Sequence, residues 1–338
     1  MRVAVYSTKP YDREFLGAAA AGTPLELHFL ESRLDATTAA LAAGHDATCV
    51  FVNDDASAPV LSALQRAGVS VLALRSAGYN HVDVVQARRL GFTVSHVPAY
   101  SPHAVAEHAV GLILALDRHL IRAASRVREG NYALAGLLGF DLHGRTVGVV
   151  GTGAIGAAFC RIMLGFGCTV VAFDVRRDAA LESAGVTYAG LDDVFARADI
   201  VSLHCPLTED TFHIVDAERL AKMRHGAMLI NTSRGALVDA DAAIGALKMG
   251  RLGYLGLDVY EEEGPLFFED RSANILDDDT FARLLTFPNV LITGHQAFFT
   301  ADALHRICEV TVANLLASDR GQRPPFVVPG SAAPTDPT

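Results

Sequence analysis

Short apolar runs and helical stretches alternate along the chain from its first residues. Val3–Tyr6, Leu25–Leu30, Thr48–Val52, Val69–Leu74 and Phe92–His96 are apolar and bounded by turn residues, which predicts strands. Ala-rich stretches such as Ala36–Ala43 and Ala58–Ala67 lie between them and have helical composition. This alternation predicts a parallel sheet with helices on both faces. At Ser101-Pro102 a helix opens with good start chemistry, Ser as N-cap and Pro at the first helical position. Its buried stripe is Val105, Ala109, Leu112, Leu116 and Leu120, spaced by three and four residues. A second βα series follows, with strands expected at Thr146–Val150, Thr169–Phe173, Ile200–Leu203, Ala227–Asn231, Tyr254–Asp258 and Val290–Thr293. Thr300 starts a last amphipathic helix to about Ser318. The expected organisation is a first domain over 1–100 completed by 300–330, with a second domain, 101–299, inserted into it and a cleft between the two. The final 18 residues hold five prolines and read as an ordered wrap, with a disordered tail over 331–338.

Composition narrows the functional classes. Of 338 residues 51% are hydrophobic and 20% charged, enough apolar material for two cores. Lys plus Arg number 28 against 38 Asp plus Glu, a net charge of -10. Such a surface repels phosphate backbones and anionic lipid, so neither a nucleic acid nor a membrane surface is the expected partner. The most apolar stretch, Ala104–Leu116, carries Glu107 and His108 and falls short of the roughly 20 apolar residues of a membrane span. Five cysteines without CxxC spacing fit reduced thiols in a cytoplasmic protein and provide no structural zinc site. His103, Glu107 and His108 come near a zinc-peptidase signature but match neither HExxH nor HxxEH. They read as a helix face, and no metal is expected.

The sharpest local signal is Gly151-Thr-Gly153-Ala154-Ile155-Gly156, a G-x-G-x-x-G directly after an apolar strand and before a helical run. The first glycine allows the tight turn, the second lets backbone approach a pyrophosphate, and the third lets helix and strand pack closely; the helix N-terminus then faces the phosphates. The next strand ends in Asp174, 18 residues after Gly156, close to the usual spacing of about 20. A carboxylate there accepts from both ribose hydroxyls and repels a 2′-phosphate, which favours NAD over NADP, although Arg176 and Arg177 weaken the preference. S-adenosylmethionine and FAD use related loops and stay open on the residues alone.

Three ionisable residues follow strands of the second series: Arg234, Glu263 and His295. The segments VGTGAIG, INTSRGALVD, GLDVYEEEGPLFFED and NVLITGHQAF, in that order, resemble the D-isomer-specific 2-hydroxyacid dehydrogenase family. VPAYSPHAVAEHAVGLILAL at 97–116 and the stretch from Asp258 to Phe299 resemble its fermentative D-lactate dehydrogenases in particular, and the match extends over about residues 70–320. The implied fold class is α/β, two doubly wound parallel-sheet domains, a Rossmann nucleotide domain inserted in a flavodoxin-like substrate domain. The implied reaction is reversible reduction of a small 2-oxo acid, with pyruvate to D-lactate the expected case, by hydride from NADH. In that chemistry Arg234 binds the substrate carboxylate and leans on the ketone oxygen. His295 is the general acid, and Glu263 orients the imidazole and favours its charged form. In the residues alone Glu261, Glu262 and Glu263 are indistinguishable, and the resemblance selects the last.

The resemblance further implies cofactor contacts from Gly151, Gly153, Ala154, Ile155, Gly156 and Asp174, then from Cys205, Pro206, Thr211, Thr232, Ser233 and Asp258. For the substrate it implies backbone donors at Ala77, Gly78 and Tyr79, with Tyr100 and Phe298 around the methyl group. It implies a homodimer through the nucleotide domain, or a homotetramer of such dimers. Two alternatives stand beside it: a relative acting on another 2-oxo acid, decided by the pocket around Tyr100 and Phe298, and an NADH-sensing corepressor-like interaction protein.

Overall fold

A computed structural model of the chain describes residues 1–264 and 266–332. Two units emerge: Met1–Ser101 with the described residues from Phe299 onward, and Pro102–Phe298.

The first unit is built on five parallel strands: β1 (Arg2–Val5), β2 (Glu26–Phe29), β3 (Ala47–Val50), β4 (Val71–Leu74) and β5 (Thr93–Ser95). Their order is β2-β1-β3-β4-β5, the flavodoxin-like arrangement. β3 and β4 are buried at every position, which is why they read as continuous apolar runs rather than alternating ones. Around the sheet lie α1 (Pro10–Ala20), α2 (Ala58–Arg66) and α3 (Val84–Arg89). Successive residues of β1 serve opposite faces, as the pleat requires. Ala4 joins Leu61, Leu64 and Phe92 on one side, whereas Val3 and Val5 join Leu16, Cys308, Val312 and Leu315 on the other. The last three belong to the C-terminal helix Ala301–Asp319, so the end of the chain completes the core begun by its start. The Pro-rich segment beyond it pairs with β5: His96 N–H donates to Phe326 O and Val328 N–H to Val94 O. Ser331 and Ala332, expected in the tail, are still engaged, through Ser331 Oγ to Val94 O and a bridge from Ala332 to Thr93. The rest of the expected tail, 333–338, lies outside the described residues.

Seven parallel strands form the second unit: β6 (Thr146–Val150), β7 (Thr169–Phe173), β8 (Thr187–Tyr188), β9 (Ile200–Leu203), β10 (Ala227–Asn231), β11 (Leu252–Leu257) and β12 (Val290–Ile292). The order is β12-β11-β10-β9-β6-β7-β8. The chain runs outward from β6 through β7 to β8, then returns to the other side of β6 with β9, so the switch point where such sheets take ligands lies between β6 and β9. Flanking helices are α4 (Pro102–Asp117), α5 (Leu120–Arg128), α6 (Ala154–Gly165), α7 (Ala179–Ser183), α8 (Leu191–Arg197), α9 (Ala217–Lys222), α10 (Ala240–Lys248) and α11 (Asp279–Leu285).

One element departs from the periodicity. The stripe expected to continue to Leu120 stops at Asp117, His119 takes a left-handed conformation (φ 50°), and α5 starts a separate helix with no buried residue. Asp117 supplies the reason: its buried carboxylate accepts the Phe140 N–H at 2.7 Å, and Gly139 sits so close to the Asp117 carbonyl that a Cβ there would meet it at 2.5 Å. The returning chain therefore occupies the path a straight helix would take.

Candidate active site

The glycine loop stands at the switch point. Gly151, with φ 93°, is pressed against the start of the loop after β9; a Cβ on it would lie 2.6 Å from the Cys205 nitrogen. A Cβ on Gly156 would lie 2.0 Å from the Gly151 carbonyl, so the start of α6 can approach the end of β6 this closely only with glycine at 156. Gly153 differs: a Cβ there would find open space, and this is the side from which a ligand can approach. The backbone N–H groups of Gly153, Ala154, Ile155 and Gly156 donate to no acceptor among the described residues, as expected of a helix start that receives phosphate.

Asp174 follows β7 beside this loop. Its Oδ2 accepts the Thr152 N–H at 2.6 Å and the Thr152 hydroxyl at 3.2 Å, and its Oδ1 accepts the Arg176 N–H at 2.9 Å. Tyr188 donates its hydroxyl to Thr152 Oγ1 at 2.9 Å, so the carboxylate is locked to the glycine loop by a network that reaches β8. Half-buried and fixed, it retains lone pairs for sugar hydroxyls.

The other cofactor-side positions take up two roles. Thr232 is buried, and its Oγ1 finds no partner among the described residues, an orphan that a ligand would satisfy. Ser233 Oγ instead donates to Cys205 O at 2.7 Å, tying the end of β10 to the loop after β9. Thr211 Oγ1 donates to Pro206 O and accepts the Thr208 N–H, closing that loop on itself. Burial pushes the Cys205 thiol up to about 11, so it is a packed neutral group. Together, the free amides, the open face at Gly153, the fixed carboxylate and the orphan hydroxyl fit a dinucleotide.

The three residues expected to carry chemistry leave neighbouring strands. Asn231, Leu257 and Ile292 lie abreast at the carboxyl ends of β10, β11 and β12; Arg234 and His295 each follow three residues later, and Glu263 six. The first turn is held by Asn231, whose amide donates to Arg234 O at 2.8 Å and whose Oδ1 accepts the Ser233 N–H. Gly235 then packs on the next loop, where a Cβ would come within 2.0 Å of the Tyr260 carbonyl carbon. The Arg234 guanidinium is half-buried and donates to Ser233 O at 2.6 Å. Among the described residues no carboxylate pairs with it, which leaves its charge available to an anion.

Glu263 and His295 are in contact. The carboxylate Oε1 is 2.7 Å from His295 Nδ1, and Oε2 accepts the Tyr260 N–H at 3.0 Å. An ionised carboxylate can only accept, so Nδ1 carries the proton toward Glu263 and Nε2 is the ring atom left to face a substrate. Glu261 is used elsewhere, paired with His213 Nε2 at 3.0 Å. Phe268 and the buried Phe298 flank the imidazole, with ring centroids 5.6 and 6.5 Å away.

Asp258 follows β11 and is enclosed by protein groups. Its carboxylate has no exposed surface and is occupied by Thr293 Oγ1 (2.5 Å), the Gln296 N–H (2.9 Å) and the Ala297 N–H (2.8 Å). His108 Nε2 lies 3.3 Å away. Burial raises its pKa, but the bonds from His108, Thr293 and the two amides outweigh burial and hold it below the usual carboxylate value. Its own carbonyl accepts the His295 N–H at 2.7 Å. Asp258 is thereby tied to the turn that carries His295.

In the first unit Arg75 and the loop to Asn80 follow β4. Ser76 Oγ donates to Gly78 O at 2.8 Å and His96 Nδ1 to Ala77 O at 2.8 Å, while the N–H groups of Ala77, Gly78 and Tyr79 find no acceptor among the described residues. Three consecutive free amides form a natural receptor for a carboxylate. Tyr100 is half-buried in the same unit.

Further side chains support the glycine loop and the turn of His295. His204 lies under the glycine loop, its Nε2 2.9 Å from Ser202 Oγ; burial drives its pKa down to about 3, so it is neutral. The Thr152–Tyr188 link and the His108–Thr293–Asp258 cluster leave no signal in the sequence and were missed. Among the described residues no group of three or more His, Cys, Asp or Glu could hold a metal ion, and no helix is long and apolar enough to cross a membrane.

Residues 110–297 match the family described as D-isomer specific 2-hydroxyacid dehydrogenase, NAD binding domain. The D-lactate dehydrogenase of Escherichia coli (strain K12) is 48% identical over 325 residues, covering 96% of this chain and 99% of the relative. Among solved structures, the pyruvate reductase of Chlamydomonas reinhardtii superposes with a TM-score of 0.91 at 45% identity, over 96% of this chain and 98% of that one. The D-lactate dehydrogenase of Aquifex aeolicus, solved with NAD and lactic acid, gives 0.85 at 33% identity, over 94% and 96%. The chain belongs to the D-isomer specific 2-hydroxyacid dehydrogenase family, an oxidoreductase whose cofactor is NAD.

Proposed function

We propose that the protein reduces pyruvate to D-lactate with NADH, and catalyses the reverse reaction, using Arg234, Glu263 and His295. The observation that carries this reading is the 2.7 Å contact between His295 Nδ1 and Glu263 Oε1, together with a half-buried Arg234, at the same end of the sheet, that has no carboxylate partner among the described residues. When bound, NADH supplies the hydride. Arg234 holds the substrate carboxylate and stabilises the charge that gathers on the ketone oxygen. His295 Nε2 delivers a proton to that oxygen and recovers it in the oxidation direction. Glu263 fixes the ring so that the same nitrogen always faces the substrate. Ala77, Gly78 and Tyr79 are assigned as carboxylate donors on their free amides, and Phe298 and Tyr100 as walls for the methyl group.

Gly151, Gly153, Ala154, Ile155 and Gly156 are assigned to the pyrophosphate and Asp174 to the ribose hydroxyls. Cys205, Pro206, Thr211, Thr232, Ser233 and Asp258 complete the cofactor side, the last as a support. The protein is proposed to be cytoplasmic, where its five free, buried cysteines stay reduced. It is proposed to assemble as a homodimer or a tetramer of dimers.

Replacing His295 by Ala should lower kcat on the order of 10²–10⁴-fold while NADH, followed by its fluorescence, binds as before. An unchanged kcat removes His295 from the mechanism.

A further inference from the structure

His108, which the helix periodicity left without a task, contacts the turn that carries His295. Its Nε2 lies 3.1 Å from Thr293 Oγ1 and 3.3 Å from Asp258 Oδ1. The hydroxyl of Thr293 has one proton, and its 2.5 Å contact with Asp258 Oδ1 commits that proton to the carboxylate. Neither oxygen can then donate to the imidazole, so the Nε2 proton of His108 points at both. Asp258, with no exposed surface, uses its remaining capacity on the Gln296 and Ala297 amides, and its carbonyl takes the His295 amide. The turn so gripped holds His295 at φ 52°, a conformation that a residue other than glycine keeps only when its surroundings impose it.

We propose that His108 is a positioning residue for the reaction: a donor from α4 that completes the set around Asp258 and thereby fixes where His295 stands. The inference rests on His295 being the general acid. α4 does not need His108 for its own packing, because Ala104, Val105, Ala109, Leu112, Ile113 and Leu116 form its buried stripe. The effect of replacing it therefore falls on the turn. The amide nitrogen of glutamine reaches as far from the backbone as imidazole Nε2, so it can restore the donor without the ring.

The test compares H108L, H108Q and H295A for kcat at saturating pyruvate and NADH, and for NADH binding by fluorescence. H108L should lose on the order of 10-fold to 100-fold in kcat, the scale of an ångström-sized misplacement, with NADH affinity retained. H108Q should recover most of the loss, which a role limited to filling space would not allow. A kcat for H108L within about twofold of the parent, or an H108Q as impaired as H108L, overturns the proposal. If H108L does not fold, T293V removes the shared hydroxyl and should show the same selective fall; unchanged turnover in T293V overturns the proposal equally. If H295A keeps full activity, the general-acid assignment itself fails, a result distinct from a failure confined to His108.

Discussion

At the scale of single residues, histidines divide by what faces their nitrogens. His295 has a carboxylate at Nδ1, His108 has two acceptors at Nε2, and His204 has a serine hydroxyl and a buried wall. His204 should therefore leave a mark on stability. Its folded pKa, lowered by burial from 6.5 to about 3, means that the unfolded chain takes up a proton at pH values where the folded chain does not. Stability is complete above pH 6.5 and should fall as pH drops toward 3, by up to about 1.4 kcal/mol for each pH unit from this group. Urea unfolding of the parent and H204Q between pH 7.5 and 5 measures it. The parent should lose more than the variant on acidification, and equal losses would show that His204 is not held neutral.

At the scale of elements, strands with β-branched apolar runs were legible to the residue: Thr146–Val150, Thr169–Phe173, Ile200–Leu203 and Ala227–Asn231 are observed as read. Periodicity could not show the break after Asp117, because its cause is the distant Phe140 and Gly139. Nor could it show β8, whose two edge residues bury too little to leave a pattern. Arg234, Glu263 and His295 were legible through motifs; His108 was not, since its partners lie more than a hundred positions away. α5 and the segment after it pose a separate question. Leu120, Ile121 and Val127 are exposed, and Leu134 and Leu138 reach 83% and 90% exposure. An apolar surface of this kind is costly to leave in water, and the proposed assembly predicts that a second copy of the chain covers it. Light scattering should give at least a dimer, and L134D with L138D should shift it toward monomer. A monomeric parent would remove the proposed assembly.

At the scale of the molecule, the chain divides between a five-stranded unit closed by its own C-terminal helix and a seven-stranded unit that holds the glycine loop and the Glu263–His295 pair. The glycines set how closely backbones meet at the switch point, Asp174 is fixed against the loop they form, and β10, β11 and β12 deliver Arg234, Glu263 and His295 from one end of one sheet. Such a site should bind the carboxylate of a small 2-oxo acid and protonate its ketone as hydride arrives. The most direct measurement is oxidation of NADH in the presence of pyruvate, followed by chiral analysis of the product. The account predicts turnover and D-lactate. Formation of L-lactate, or no oxidation with pyruvate while NADH is demonstrably bound, would contradict it.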